Sequence, residues 1–265
     1  MIRIAAVGDV HVGTDTAGSL SPHWSHLNER ADLFLLAGDL TKRGRPDEGA
    51  VLADELRAAE LSIPVVAVLG NHDYESDREK ELADILGEAG VVVLDGSSVV
   101  LDVHGQSVGV AGAKGFGGGF PGAMGSDFGE PEMKAFMRHS RDVAHRLETA
   151  MGEIQHCDVR IALMHYAPIE GTLRGERLEI WPFLGCYFLA EAVDRTGADL
   201  VVHGHAHGGS ERGVTPGGVH VRNVAQPVLR HAYTLFCLGG SVESDSDADL
   251  LCGQPAEAEP VEAEL

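Results

Sequence analysis

Basic residues are the first shortage: 20 Lys and Arg stand against 41 Asp and Glu, a formal net charge of −21. Residues 241–265 hold eight of those acids and no base, leaving 33 acids against 20 bases over residues 1–240. Neither a nucleic-acid backbone nor an anionic membrane is therefore the expected partner, because such binding draws on clustered Lys and Arg. Long apolar runs are missing too, and no segment approaches the roughly 20 apolar residues that a bilayer-spanning helix needs. The chain enters a strand at Ile2 with Arg3 inside it, so no secretory signal is expected. Cysteine is scarce, and Cys157, Cys186, Cys237 and Cys252 have neither CxxC spacing nor the density of a disulfide scaffold. Reduced thiols acting as fillers, in a cytoplasmic protein, are the expectation. The glycine-rich residues 112–129 contain no GxxxxGK[ST], so they are not a nucleotide P-loop.

Apolar residues make up 44% of the 265, ample for a substantial core. The expected organisation is one domain over residues 1–240 and an acidic tail, 241–265, with too little apolar surface to fold and hence disordered. The domain is organised around residues 64–73, PVVAVLGNHD. Its β-branched apolar run reads as a parallel strand buried on both faces. Gly70 then turns the chain, and Asn71, His72 and Asp73 emerge at the carboxyl edge, where open α/β sheets place their sites. Taken alone this is equally a polar strand-to-helix turn. The pattern recurs, however. The strand at 2–8 ends in Asp9-Val10-His11, that at 32–37 in Gly38-Asp39, that at 161–164 in His165, and that at 200–202 in His203-Gly204-His205-Ala206-His207. A single His at a strand end is ordinarily a structural residue, but five strand ends delivering Asp, Asn and His supply the donors that hold divalent first-row metals.

Between these strands, 24–30, 47–60 and 76–89 read as crossover helices of βαβ units with parallel neighbours. From residue 91 the rhythm changes to short strands at 91–94, 97–103 and 106–111, separated by the hairpin signals Asp95-Gly96 and His104-Gly105, so the sheet becomes antiparallel or mixed. Residues 112–129 carry eight glycines with Phe116, Phe120 and Phe128, and are expected to form a lid-like loop beside the site. A long helix over 130–156 should bury Met133, Phe136, Met137, Val143, Leu147 and Ile154. Residues 168–183 read as a polar loop, 184–196 as a helix, and 213–225 with 232–238 as final hairpin strands around a turn at Pro216-Gly217-Gly218.

The ordered set Asp9-x-His11, Gly38-Asp39, Gly70-Asn71-His72-Asp73, His165 and Gly204-His205-x-His207 resembles the calcineurin-like metallophosphoesterase family, in particular its bacterial phosphodiesterase and phosphatase branch. The resemblance covers residues 1 to about 240. It implies an α/β fold, a four-layer α-β-β-α sandwich of two mixed β-sheets flanked by helices. It also implies one metal held by Asp9, His11, Asp39 and His207 and a second held by Asp39, Asn71, His165 and His205. Asp39 would bridge two ions roughly 3.5–4 Å apart. Manganese, iron, zinc, cobalt and nickel all accept such donors. Two such ions outweigh the aspartates and a bridging hydroxide, so the centre stays net positive and attracts phosphate. The hydroxide would attack phosphorus in line, while protonated His72 stabilises the transition state or gives its proton to the leaving oxygen.

The implied activity is hydrolysis of phosphate esters, foremost a phosphodiesterase acting on small-molecule or cyclic-nucleotide-like substrates. A phosphomonoesterase or protein phosphatase, a nuclease and a non-catalytic metal-dependent scaffold are the alternatives. Arg43 sits where a protein-phosphatase motif has a phosphate-contacting arginine, although Lys42 departs from that motif. Asp73 would orient His72 or cap a helix, and His203 would end its strand as a structural residue.

Overall fold

The computed structural model describes residues 1–239, so the disorder expected for 241–265 lies outside the described residues. The chain begins with β1 (Ile2–Val7), two short helices α1 (Ser21–Trp24) and α2 (Leu27–Arg30), β2 (Leu33–Ala37), α3 (Pro46–Ala58), β3 (Val65–Val68), α4 (Glu79–Glu88) and β4 (Val91–Leu94). Pro46 opens α3 as its fixed φ suits a first turn, and the Glu48 carboxylate accepts the backbone N–H groups of Arg43 and Arg45 ahead of it. The expected single helix over 24–30 is instead the pair α1 and α2.

The second half contains β5 (Ser97–Val103), β6 (Gln106–Ala113), a ribbon of β7 (Gly119–Phe120) and β8 (Ala123–Met124), α5 (Pro131–Glu153) and β9 (Val159–Met164). It continues with α6 (Trp181–Leu184), α7 (Tyr187–Thr196), β10 (Leu200–His203), β11 (Arg212–Val214), β12 (His220–Asn223), α8 (Gln226–Leu229) and β13 (Thr234–Leu238). Two main sheets result, in the orders β13-β1-β2-β3-β4 and β11-β12-β10-β9-β6-β5. In the first, β1 to β4 are parallel, as the βαβ reading requires, and β13 is antiparallel to β1. In the second, β6, β9, β10 and β12 are parallel, with antiparallel β5 and β11 at the edges.

The period-2 alternation of strand side chains sorts the core into layers. Ile2, Ile4 and Ala6 of β1, Leu33 and Leu35 of β2, and Val66 and Val68 of β3 pack between the sheets against Val108, Val110, Ile161, Leu163 and Val202. The alternate residues Ala5, Val7, Phe34, Leu36 and Ala67 face Leu52 and Leu56 of α3 and Leu82 and Leu86 of α4. On the far side, Ala162, Met164 and Val201 meet Met137, Val143, Leu147 and Met151 of α5 and Leu189 and Val193 of α7. The result is the four-layer α-β-β-α sandwich of two mixed sheets. No helix among the described residues is long and apolar enough to cross a membrane.

Four local expectations are corrected. Asp95-Gly96 does not close a hairpin: β4 pairs with β3 in the first sheet and β5 with β6 in the second, so this dipeptide is the crossing between sheets. The turn at residues 215–219 does join a hairpin, β11–β12, but β13 leaves it to border β1. Met133 is 44% exposed, because the buried stripe of α5 runs instead through Met137, Ser140, Val143, Ala144, Leu147, Ala150 and Met151. Cys157 and Cys186 are free and buried, whereas Cys237, partly exposed on the edge strand β13, is disulfide-bonded, against the expectation of four reduced thiols.

Candidate metal centre

Asp9, Asp39, Asn71, His165 and the 203–207 segment leave the carboxyl ends of β1, β2, β3, β9 and β10, central strands of both sheets, and converge there. Three overlapping groups occur, and within each the donor atoms lie no more than 4.8 Å apart: Asp9, His11 and His207; His11, Asp39 and His72; Asp39, His165 and His205. Asn71 joins the last group, its Oδ1 lying 3.0 Å from His165 Nε2. All seven expected metal-binding residues and His72 are thus brought together. Asp39 stands at the middle and is 1% exposed. Its Oδ1 is 3.3 Å from His165 Nε2, while its Oδ2 is 4.0 Å from His11 Nε2 and 3.9 Å from His72 Nε2.

The backbone at the centre is unusual in a consistent way. Asp9, His11, Asp39 and His205 adopt positive φ, at 58°, 42°, 49° and 69°. Such strain costs about 1–3 kcal/mol per residue and collects at functional sites. Burying one Leu or Ile side chain stabilises by roughly 1.5–3 kcal/mol, so a handful of the fully buried strand residues between the sheets offset it. Close approach is the other local demand. A Cβ at Gly70 would collide with the backbone nitrogen and carboxylate of Asp39, and one at Gly204 with the carboxylate of Asp9. Gly70→Ala is therefore expected to cost about 1–3 kcal/mol from overpacking and to lower metal content. A variant with wild-type melting temperature and full metal content would mean that the Cβ is accommodated.

Hydrogen bonds assign the ring nitrogens. Ala37's carbonyl can only accept, so His165 Nδ1, 2.9 Å away, donates to it. His165 Nε2 then faces two oxygens, Asp39 Oδ1 and Asn71 Oδ1, with no proton of its own unless the ring is charged. Without a cation between them the ring must itself be charged: burial opposes this, but the Asp39 carboxylate outweighs it and raises His165 to about 9. His205, buried and beside His165, is pushed down to about 3, and His11 is lowered by burial. The hydrogen bond from His207 Nε2 to Asp9 Oδ1, at 2.9 Å, raises His207. His72 Nδ1 lies 2.9 Å from the Lys42 carbonyl and donates to it, which turns Nε2 towards Asp39.

Several neighbours do what the sequence left open. Asp73 neither orients His72 nor caps a helix; its fully buried carboxylate accepts the backbone N–H groups of Leu40, Thr41 and Gly70 and the Thr41 hydroxyl, tying the Asp39 loop to the Asn71 loop. His203 is fully buried, bonded to Thr172 Oγ1 at 2.8 Å, and takes no part in the donor groups, as expected of a structural residue. Asn223, which sequence reasoning missed, donates to the Ala206 carbonyl and so holds the 204–207 loop. Arg43 is exposed, and Lys42 Nζ pairs with Asp15 at 2.7 Å. The aromatic residues of 112–129 divide: Phe120 is buried, Phe116 packs against Phe136, His139 and Tyr166, and Phe128 is 82% exposed. Phe116 and Phe120 thus anchor the loop beside the centre instead of covering it. A cavity of about 750 Å³ lies elsewhere, between α7, the 168–174 segment and the β11–β12 turn. Donor chemistry, not cavity size, marks the site, and His72 and His207 are open to solvent there, 41% and 44% exposed.

A family model, that of the calcineurin-like phosphoesterases, matches residues 2–209. The chain belongs to this family, a class of metal-dependent phosphoesterases. Among curated proteins, the uncharacterized protein YpbG of Bacillus subtilis (strain 168) is 22% identical over 214 residues, which is 80% of this chain and 63% of YpbG. The chain thus spans less than two thirds of that relative. Among solved structures, phosphopantetheinyl hydrolase (PptH) from Mycobacterium tuberculosis superposes with a TM-score of 0.58 at 17% identity, covering 84% of this chain and 88% of that one. TT1561 of Thermus thermophilus gives 0.59 at 20%, covering 89% and 93%. A putative 5'-nucleotidase from Staphylococcus aureus gives 0.54 at 19%, covering 100% of this chain and 55% of that one. At these identities the likeness is one of fold.

Proposed function

We propose that this protein is a phosphodiesterase acting on small-molecule phosphate esters, cyclic-nucleotide-like ones included, through a binuclear metal centre. Asp9, His11, Asp39 and His207 would hold one ion, and Asp39, Asn71, His165 and His205 the other. The observation that carries this reading is His165, whose Nδ1 is taken by the Ala37 carbonyl and whose Nε2 faces two oxygens, Asp39 Oδ1 and Asn71 Oδ1, at 3.3 and 3.0 Å. A cation satisfies all three atoms at once. The opposite oxygen of Asp39 faces His11, which suits a carboxylate shared between two ions. Mixed His, Asp and Asn donors suit manganese, iron, zinc, cobalt or nickel.

When bound, the ions supply a water of lowered pKa and positive charge for the phosphoryl oxygens. The chain's own residues do the rest. Ala37's carbonyl fixes the His165 tautomer, and Asp9 holds the 205–207 loop by accepting the His205 backbone N–H at 3.0 Å. The Lys42 carbonyl holds His72 Nδ1, so a proton on His72 Nε2 is the one that can pass to a leaving oxygen. The acidic balance of the chain supports small substrates over nucleic acid.

The test is turnover of bis(p-nitrophenyl) phosphate by purified protein supplied with manganese, beside p-nitrophenyl phosphate, with bound metal quantified. Metal-dependent release of nitrophenolate, faster from the diester, is expected. Faster release from the monoester would replace the phosphodiesterase by a phosphomonoesterase. Two bound metals with no hydrolysis of either would favour a scaffold.

A further inference from the structure

Lys114 follows the end of β6, and its ammonium sits among three aromatic rings: 4.6 Å from the centroid of Tyr74, 5.2 Å from Phe116 and 5.5 Å from Tyr166. Two of these rings border the metal centre in sequence, Tyr74 directly after Asp73 and Tyr166 directly after His165. The Tyr166 ring also lies 4.4 Å from that of His205. One ring thus separates the Lys114 ammonium from a proposed metal-binding residue. The anchoring is firm, because the Lys114 carbonyl accepts the backbone N–H groups of both His165, at 3.0 Å, and Tyr166, at 3.1 Å.

What Lys114 lacks is an anion. In a chain with 41 acidic residues it forms no ion pair among the described residues. Of the carboxylates whose field reaches it, Asp95 is engaged by Arg146 at 3.2 Å, Asp39 is committed to the histidines, and Glu79 makes no ion pair with it. The three rings place the half-buried ammonium but leave its charge without a counter-ion. Its flexible four-carbon stem lets the charge reach a neighbouring anion.

We propose that Lys114 is a substrate-binding residue, whose ammonium, held by Tyr74 and Tyr166, takes a non-bridging phosphoryl oxygen of the ester bound at the adjacent centre. This rests on the phosphoesterase reading of that centre. It adds a protein cation to phosphate recognition on the His165–His205 side, and none of the five strand-end motifs contains it.

The experiment is calorimetric titration of the manganese-loaded full chain with inorganic phosphate, for wild type, Lys114→Met, Lys114→Gln and Lys114→Arg, with bound metal measured in each. Loss of a charged hydrogen bond should weaken phosphate binding about tenfold or more in the Met and Gln variants at unchanged metal content. The Arg variant should retain most of the affinity. A Met or Gln variant within twofold of wild type would overturn the proposal, since a purely structural lysine would alter melting temperature and not phosphate affinity. Absence of phosphate binding by the loaded wild type would overturn it as well. Ester turnover with phosphate affinity indifferent to residue 114 removes this inference alone. Phosphate affinity that depends on Lys114, with neither nitrophenyl ester hydrolysed, removes the catalytic reading alone.

Discussion

Asp39→Asn is expected to abolish hydrolysis and to lower occupancy of both metal positions, leaving the fold intact. The substitution keeps the size of the side chain and its Oδ1, which accepts the His72 backbone N–H at 2.8 Å. It removes the negative charge from the one residue whose two oxygens face different histidines, His165 on one side and His11 with His72 on the other. Asn71→Ala is the control: Asn71 touches only the His165 side, so one equivalent of metal should be lost and the other kept. Elemental analysis of the purified variants, with circular dichroism to verify folding, checks both. Two full equivalents of metal in the Asn variant would mean that Asp39 does not bridge.

The outcome also bears on the charges of the metal-free protein. Asp39 is held well below the usual carboxylate range, burial being outweighed by its bonds and charge contacts with His165 and His72. The same pairing keeps His165 raised to about 9. A carboxylate depressed on folding stabilises the native state above its unfolded pKa, and that contribution is lost as pH falls through the folded value. A raised histidine stabilises fully below its unfolded pKa and loses the contribution as pH rises through about 9. The metal-free pair therefore holds the loops together best between those limits, with one charge on each partner.

The centre was legible because its chemistry is local to each motif. Asp9 and His11, Asp39, Asn71 and His72, His165, and His205 and His207 each follow a short apolar strand, and parallel strands deliver their carboxyl ends to one edge. The first sheet was legible for the same reason, since βαβ units force parallel neighbours. The crossing at Asp95-Gly96 was not. Turn chemistry says that the chain reverses, not which sheet takes the next strand. That choice depends on β6 finding β9 much later in the chain, where Val108 pairs with Val159.

Asp73 was misread because its partners lie on another loop. Sequence proximity suggested His72, but Leu40 and Thr41 come within reach only once β2 and β3 pair. Lys114 carries no sequence signal at all. Its meaning comes from Tyr74 and Tyr166, brought together by strands of different sheets, and an isolated Lys in a glycine-rich segment reads as a surface residue until those rings surround it. Chemistry written at consecutive positions can be read from the chain, whereas chemistry assembled by topology needs the fold.

His72→Asn is expected to slow turnover by roughly 10²–10⁴-fold, the worth of a positioned acid–base group, with metal content unchanged. The structure makes the second half of this expectation demanding. His72 Nε2 lies within reach of Asp39 Oδ2, its ring is 4.8 Å from that of His11, and the three residues form a donor group of their own. A loss of metal in the variant would therefore make His72 a metal-binding residue. Retained metal leaves two roles, which the leaving group separates. The Lys42 carbonyl occupies Nδ1, so only Nε2 can deliver a proton, and an alkyl or ribose ester, whose alkoxide leaves poorly, needs that proton most. Nitrophenolate needs little protonation, so its esters should be impaired less if His72 acts as the acid. Equal impairment of both would assign His72 to charge stabilisation of the phosphoryl oxygens, and no impairment of either would take it out of the reaction.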